Sequence, residues 1–371
     1  MLSVRRIVDE IGRRFGLHGR LTHATELHRG HIHDTYVVTY VGDDRARRYI
    51  HQRINNRVFS HPEQVMENIV RVIDHLRGKL ENEGLGDLER RVLTLIYSED
   101  GRPYHVDAEG AYWRTYDYIE RTHTHDVVGP ALATEAAAAF ARFAKLLADL
   151  PAFSLHESIP GFHDTAKRYE QLCRAIQADR LNRVMTADAE IGFALAREPL
   201  ARAFDDALAR GKLPRRVTHN DTKIDNILFD DRTDEALCII DLDTAMPGLV
   251  LHDFGDLVRS SVSAGGEAEF DLDHVHVRLP VFKALVEGYL REATAFLTVD
   301  EFDLLPIAGR VITFETGMRF LTDYLKGDVY FRVKRPEHNL DRARNQFQLV
   351  RSMEEQHDTM ADIVEKVRGS V

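Results

Sequence analysis

Apolar positions follow two patterns along this chain, and the change comes near Glu120. At the start, Val4, Ile7, Val8, Ile11 and Phe15 recur at helical spacing with charges between them, which predicts an amphipathic first helix. Residues 23–54 then read as strands. THATELHRGHIHDTYVVTYV turns at Arg29-Gly30, and VGDDRARRYIHQRI carries a second turn at Asp43-Asp44. In the helix that follows, Ser60 and Glu63 have capping-box spacing and Pro62 sits in the first turn. Val65, Met66, Ile69, Ile73, Leu76 and Leu80 form one stripe. RVLTLIYSEDGRPYHV predicts a hairpin turning at Glu99-Asp100-Gly101, and AYWRTYDYIE (111–120) a further strand.

Beyond Glu120 the period changes. THTHDVVGP is a loop, and ATEAAAAFARFAKLLADL is a run of strong helix formers. A second helix is predicted over 165–178, through Ala166, Tyr169, Leu172, Cys173 and Ile176, and a third near 190–210. A compact β element, RRVTHNDTKIDNILF with ALCIIDLD, interrupts the helices. Residues 252–297 and those from 301 onward read as mostly helical, with a polar stretch at 351–371 expected to fray. The pattern predicts an α+β fold with a β-rich lobe at 1–120 and a mainly helical lobe at 121–371.

Composition narrows the function. Lys plus Arg number 49 against 60 for Asp plus Glu, so nothing asks for a nucleic acid or an anionic membrane as partner. The two cysteines, Cys173 and Cys238, are far apart in apolar contexts, which argues against a disulfide framework or zinc site and for a reducing, cytoplasmic setting. The N-terminus lacks the apolar core of a secretory signal, and no stretch is long and apolar enough to cross a bilayer.

The chemistry concentrates in His219-Asn220-Asp221-Thr222-Lys223-Ile224-Asp225-Asn226. Asp221 and Asn226 stand five apart on an expected loop between short strands, and Asp241 follows at the end of the apolar strand CIID. Protein kinases order an Asp, an Asn five residues on and a metal-binding Asp on the next hairpin in this way. One carboxylate must accept the proton of the acceptor hydroxyl. An amide oxygen and a second carboxylate must hold Mg2+, which prefers hard oxygen ligands. Lys223 has the position from which a lysine faces the transferring phosphate. The expected roles are therefore Asp221 as base, Lys223 as charge neutraliser, and Asn226 and Asp241 as metal ligands, with ATP in a cleft between the lobes. There is no GxxxxGK[ST], which excludes a P-loop kinase.

Asn220 stands where protein kinases carry Arg, and in this the sequence resembles the aminoglycoside and choline kinase superfamily. More specifically it resembles the N-acetylhexosamine 1-kinases. The stretches that carry this are GHIHDTY (30–36), HQRINNRVFSHPEQVMENI (51–69), VTHNDTKIDNILFD (217–230), IIDLDTAMPGLVLHDFGDLVR (239–259) and GMRFLTDYLKGDVYFRVKRPEHNLDRARNQFQLV (317–350). The resemblance implies ATP-dependent phosphorylation of the anomeric hydroxyl of GlcNAc or GalNAc. It also places Gly30 in a nucleotide lid that usually reads GHINDT; here His33 replaces the Asn. Choline, methylthioribose or an aminoglycoside are alternative acceptors. A metallohydrolase on His123, His125 and Asp126, or a nucleotide-binding pseudokinase, are alternatives of other kinds.

Further candidates carry less chemistry of their own. The chain has no lysine before Lys79, so the strand lysine that binds phosphates in protein kinases needs a substitute. Arg53 is the expected one, paired to Glu67 on the next helix, with Gln52 on the opposite face of the strand. Glu120, at the join, completes the nucleotide-binding set. Asp243 is a second metal or substrate contact or a turn residue. Glu315, Arg319 and Asp323 lie one helical turn apart. Periodicity alone reads them as a solvated face, whereas the resemblance makes Arg319, Asp323 and Tyr324 sugar contacts. HDFGD (252–256) comes too late to be a metal loop, and its Asp256, with Arg259, is expected to start a helix that braces the catalytic loop.

Overall fold

The structure, a computed structural model, describes residues 2–27, 32–42, 45–125, 128–267 and 269–370. Two compact units divide it. The first joins Met1–His123, Phe153–Pro160 and Leu228–Met246; the second joins Thr124–Ala152, Gly161–Ile227 and Pro247–Val371.

The first unit begins with α1 (Leu2–Arg14), β1 (Arg20–Leu27), β2 (Asp34–Val41) and β3 (Ala46–Arg53). It continues through α2 (Pro62–Asn82), α3 (Leu88–Arg91), β4 (Leu95–Ile96), β5 (His105–Val106), β6 (Tyr112–Asp117) and β7 (Thr122–His123). An antiparallel sheet runs β1-β2-β3-β6-β4, with β5 also on β6. The turns expected at Arg29-Gly30 and Asp43-Asp44 lie outside the described residues; the strands on either side of them form. α1 buries Val8, Ile11 and Phe15, and the last two pack on Trp113 of β6. Ile7 is instead 46% exposed, so the buried stripe is narrower than its periodicity suggested.

Three local expectations are corrected. α2 starts after His61 rather than Ser60 and has no side-chain cap, and Glu63, the expected capping-box partner, instead accepts a hydrogen bond from the Tyr112 hydroxyl. The stripe on α2 is buried as expected. The hairpin over 91–106 turns where predicted, with Gly101 N donating to Ser98 O at 2.8 Å. Its arms do not pair with each other, however; both pair with β6. The single Ser98 hydroxyl proton has acceptors only within the loop, Asp100 Oδ1 at 2.6 Å and the Arg102 and Tyr104 carbonyls at 2.9 and 3.1 Å. Finally, Thr122–His123, expected in a loop, pairs with the strand Ile227–Asp230, which continues through Ala236–Ile239 in a small second sheet.

The second unit is mainly helical: α4 (Pro130–Leu146), α5 (Thr165–Ala178), α6 (Asp188–Leu195), α7 (Glu198–Ala209), α8 (Val250–Ser261), α9 (Leu279–Ala293), α10 (Val299–Lys326), α11 (His338–Glu355) and α12 (His357–Arg368). The single helix expected near 190–210 is two, since Pro199 has no N–H to continue the first and suits the opening turn of the second. The alanine face of α4, with Ala133, Ala136, Ala137 and Ala141 buried, packs closely on α9. A Cβ at Gly288 would lie 2.1 Å from the Thr134 carbonyl, so only glycine permits that approach. α10 opens on a complete capping box from Thr298 and Glu301. Where fraying was expected, α12 forms over His357–Arg368 and buries Met360, Val364 and Val367. Among the described residues no helix is long and apolar enough to cross a membrane.

Candidate active site

The segment HNDTKIDN (219–226) follows the short strand Arg216–Thr218 and ends in a 3₁₀ turn, Ile224–Asn226. Lys223 Nζ lies 3.1 Å from Asp221 Oδ1, and the two side chains stay 37% and 25% exposed, so both can meet a ligand. Asn226 Nδ2 donates to Asp221 Oδ2 at 3.0 Å and to the Asp221 carbonyl at 2.8 Å. Its amide oxygen takes no part in those two bonds and suits a hard cation. Burial works against ionisation of Asp221, but Lys223, then His219, outweigh it and hold the carboxyl below the usual range. The Asp221 charge in turn raises Lys223. At neutral pH this is an ion pair, in which Asp221 is ready to accept a hydrogen bond from a hydroxyl and orient it.

The turn that presents Asp221 is strained and firmly held. Asn220 has φ of +64°, in the left-handed region that Asn tolerates better than most residues. Its N–H and that of His219 donate to the two oxygens of Asp253 at 2.7 and 2.9 Å. Thr222 Oγ1 donates to the Asp253 carbonyl at 2.5 Å. Burial pushes the Asp253 carboxyl up to about 6. A Cβ at Gly248 would come 2.1 Å from Thr218 Oγ1 and 2.6 Å from Asn220 Oδ1, so that position also serves the turn. HDFGD therefore braces the catalytic turn, but through Asp253 rather than through Asp256 and Arg259. Those two lie further along α8 and pair with each other at 2.8 Å. Asp256 adds to the field that keeps Lys223 charged.

In the first unit, Asp241 is exposed with φ of +62°, capping the 3₁₀ turn Leu242–Thr244. Asp243 is buried. Arg114 Nη1 and Nη2 donate to its two oxygens at 2.7 and 2.6 Å, and His33 Nε2 lies 3.3 Å from Oδ1. Despite burial, Arg114 and then His33 hold the Asp243 carboxyl well below the usual range. His33 Nδ1 accepts the Asn55 N–H at 3.1 Å, so a neutral His33 carries its proton on Nε2, facing Asp243. That tautomer turns an N–H toward the Asp243 carboxylate without completing a hydrogen bond to it.

Arg114 is the residue that sequence reasoning missed. Register pairs Thr35 with Gln52 and Gln52 with Arg114. Along that row Gln52 Nε2 donates to Thr35 Oγ1 at 3.1 Å, and Arg114 Nε donates to Gln52 Oε1 at 2.9 Å. Arg53 points the other way, 3.7 Å from its cross-strand partner Asp34 with both half exposed. The expected Arg53–Glu67 pair does not form, since Glu67 meets His156 at 2.8 Å and Arg71 at 3.6 Å. The signal available was an arginine inside the apolar strand YWRTYD. Glu120 forms a forked ion pair with Arg48. Gly30 lies outside the described residues.

The α10 candidates separate. Arg319 lies among the rings of Phe162, Phe331 and Tyr330, at 5.3, 5.5 and 6.0 Å. Asp323 is occupied otherwise: it accepts the N–H groups of Val329, Tyr330 and Phe331 at 3.0, 2.9 and 2.9 Å, with Asn339 Nδ2 at 2.9 Å. It shapes the loop that carries Tyr330. Tyr324 packs under Arg183 at 4.6 Å and meets Thr186 Oγ1 at 2.9 Å. Glu315 is buried against His163 and Thr165. Of the hydrolase set, His123 is held between Asp231 and Asp234, each at 3.1 Å, and Asp126 lies outside the described residues.

Comparison with known proteins fits this geometry. The sequence pattern of the phosphotransferase enzyme family (APH) matches residues 23–291. An aminoglycoside phosphotransferase from Alicyclobacillus acidocaldarius is similar in fold, with a TM-score of 0.58 at 14% identity, over 94% of this chain and 93% of that one. A microcompartment-associated aminopropanol kinase also reaches 0.58 at 14% identity, over 95% and 98%. A spectinomycin phosphotransferase solved with ADP and spectinomycin reaches 0.54 at 12% identity, over 98% of each chain. The expected α+β, protein-kinase-like fold is thus present: an antiparallel sheet first, then a mostly helical part.

Proposed function

The chain belongs to the phosphotransferase enzyme family, and we propose that its acceptor is the anomeric C1 hydroxyl of an N-acetylhexosamine, GlcNAc or GalNAc. The coarser activity is phosphorylation of a small-molecule hydroxyl by ATP. The observation that carries the reading is the Asp221–Lys223–Asn226 arrangement, a half-buried ion pair with an amide anchored to it. Asp221 accepts the proton of the acceptor hydroxyl and aims its oxygen at the γ-phosphate. Lys223 offsets charge on the transferring group. Because phosphoryl transfer passes through a loose transition state, such positioning and charge neutralisation make up most of the catalysis. Asn226 and Asp241 each offer an oxygen of the kind Mg2+ prefers, and bound Mg2+ would supply further neutralisation of the phosphates.

The acceptor assignment rests on the resemblance of residues 317–350 and on Arg319. A guanidinium within an aromatic cluster repels a quaternary ammonium, so it disfavours choline. It suits the hydroxyl and acetamido oxygens of a neutral sugar, with Tyr330 (57% exposed) offering a ring face. Asp323 contributes by fixing the Tyr330 loop, and Tyr324 by packing beneath α10's neighbour Arg183.

The test is ATP consumption with Mg2+ over a panel of free sugars and amino alcohols, followed by a reducing-end assay. GlcNAc or GalNAc should give an acid-labile, non-reducing 1-phosphate. A product that keeps its reducing end, or turnover confined to an amino alcohol, overturns the 1-kinase assignment.

A further inference from the structure

Behind the catalytic turn lies a buried group that the reaction as described does not use. His163, 7% exposed, places Nδ1 2.9 Å from Glu315 Oε1 and Nε2 2.9 Å from the carbonyl oxygen of Asn220. A carbonyl oxygen can only accept, so Nε2 carries a proton. Glu315, wholly buried, already accepts from Thr165 Oγ1 at 2.6 Å through its other oxygen. One proton remains to be shared between Nδ1 and Glu315. The surroundings decide its place. Glu315 and Arg319 come from α10, Arg168 from α5, Asp205 from α7, and His252 and Asp256 from α8. The arginines favour an ionised Glu315, and Asp256 favours a charged imidazole.

We propose that His163 is a standing imidazolium, clamped between Glu315 and the Asn220 carbonyl, and that this cation is a positioning residue which fixes the strained turn aiming Asp221. Asn220 is then gripped at both ends of its peptide frame: its N–H by Asp253 and its carbonyl by His163. With φ at +64°, it would relax once either grip is lost, and the neighbouring Asp221 would turn with it. The charge state is consistent with its neighbours. Burial opposes ionisation of both partners, yet Glu315 raises His163 and His163 brings Glu315 down to about 2. Burial, with His163 next, pushes the adjacent His252 down to about 3; the two rings lie 4.9 Å apart. A charged His163 beside a neutral His252 is the arrangement expected of two imidazoles that share one buried space.

The proposal rests on Asp221 being the acceptor-orienting group, and its test separates the two. In the full chain labelled with ¹⁵N-histidine, the His163 signals are assigned by difference from His163→Gln. They should report two protonated ring nitrogens at pH 7.5. A neutral tautomer at that pH overturns the proposal, whatever the enzyme's activity. In kinetics, the parent rate should stay flat as pH rises from 6 to 8. His163→Gln should lose on the order of 10²-fold in kcat, as a misaimed catalytic group does, with KM for ATP little changed. Glu315→Gln removes the counter-charge and leaves burial to oppose ionisation, so its kcat should fall toward that of His163→Gln at pH 6–8 and recover as the pH is lowered below that range, where the parent shows no such rise. A Glu315→Gln variant with the parent's pH profile would reduce the pair to a structural role and overturn the proposal. Activity that survives Asp221→Asn while the ¹⁵N signals match expectation would instead sink the assignment of Asp221.

Discussion

Asp221 and Asp243 are both carboxylates beside a basic side chain, and their surroundings differ sharply. Asp221 and Lys223 remain a quarter and a third exposed, respectively, and make a single 3.1 Å contact. Asp243 and Arg114 are 2% and 1% exposed and joined by two parallel bonds, with His33 as a third party. A pair left open to solvent can exchange its partner for substrate. A buried, forked pair cannot do so without leaving a charge unsatisfied. Exposure, rather than residue type or charge, is what recommends Asp221 for the proposed catalytic role and Asp243 for a brace.

The sharpest way to break this comparison is to neutralise each carboxylate's role in turn. Asp221→Asn should lower turnover by roughly 10²–10⁴-fold, the span of a lost general base, while the melting temperature and ATP binding stay near those of the parent. Near-normal turnover would move the role elsewhere. Arg114→Ala should act on stability first. Leaving Asp243 buried and alone should cost about 3–5 kcal/mol in urea unfolding, and Arg114→Met with Asp243→Leu should recover most of it. If the single variant unfolds like the parent, Asp243 is not the brace described.

A smaller effect extends the contrast to imidazoles. Burial pushes His51 and His252 each down to about 3 from 6.5. Their folded state favours the neutral ring, so the stability they contribute is present above pH 6.5 and is lost as pH falls from 6.5 toward 3. The slope is about 1.4 kcal/mol per pH unit for each group. His163 has the opposite sign: its raised value stabilises at low pH and is lost as pH rises through it. Unfolding free energies at pH 7 and 5 should therefore differ, and His51→Asn should remove part of the difference. The smallest effect belongs to the exposed pair Arg53–Asp34. Arg53→Ala should cost about 0–1 kcal/mol and leave KM for ATP unchanged. A large rise in that KM would restore Arg53 to the nucleotide site.

What was legible in the sequence was local. The catalytic segment spans eight consecutive residues, and its Asp, Lys and Asn meet because one turn carries them all. The stripe on α2 was readable for the same reason, and of the stripe expected on α5 Tyr169 and Leu172 are buried. The bracing pairs were not: Arg114 and Asp243 stand 129 positions apart, and His163 and Glu315 stand 152 apart. No spacing rule connects such residues. Strand parity correctly set Gln52 and Arg53 on opposite faces, but choosing between them required knowing what lay on each. The buried Tyr49 and His51 share Arg53's parity, which left Gln52 on the row of Arg114.

The three-part make-up of the first unit has a consequence for how the protein is made. Its sheet is complete once residue 117 has been added, but Asp243 arrives 129 positions after Arg114. At translation rates of about 5–20 residues per second, the arginine waits on the order of ten seconds for its counter-charge. During that interval the nascent sheet either holds a guanidinium open to water or stays loosely packed. A ribosome-bound chain halted at residue 200 should therefore be protease-sensitive within β6, and one carried far enough past residue 246 for Asp243 to clear the ribosome should become resistant there.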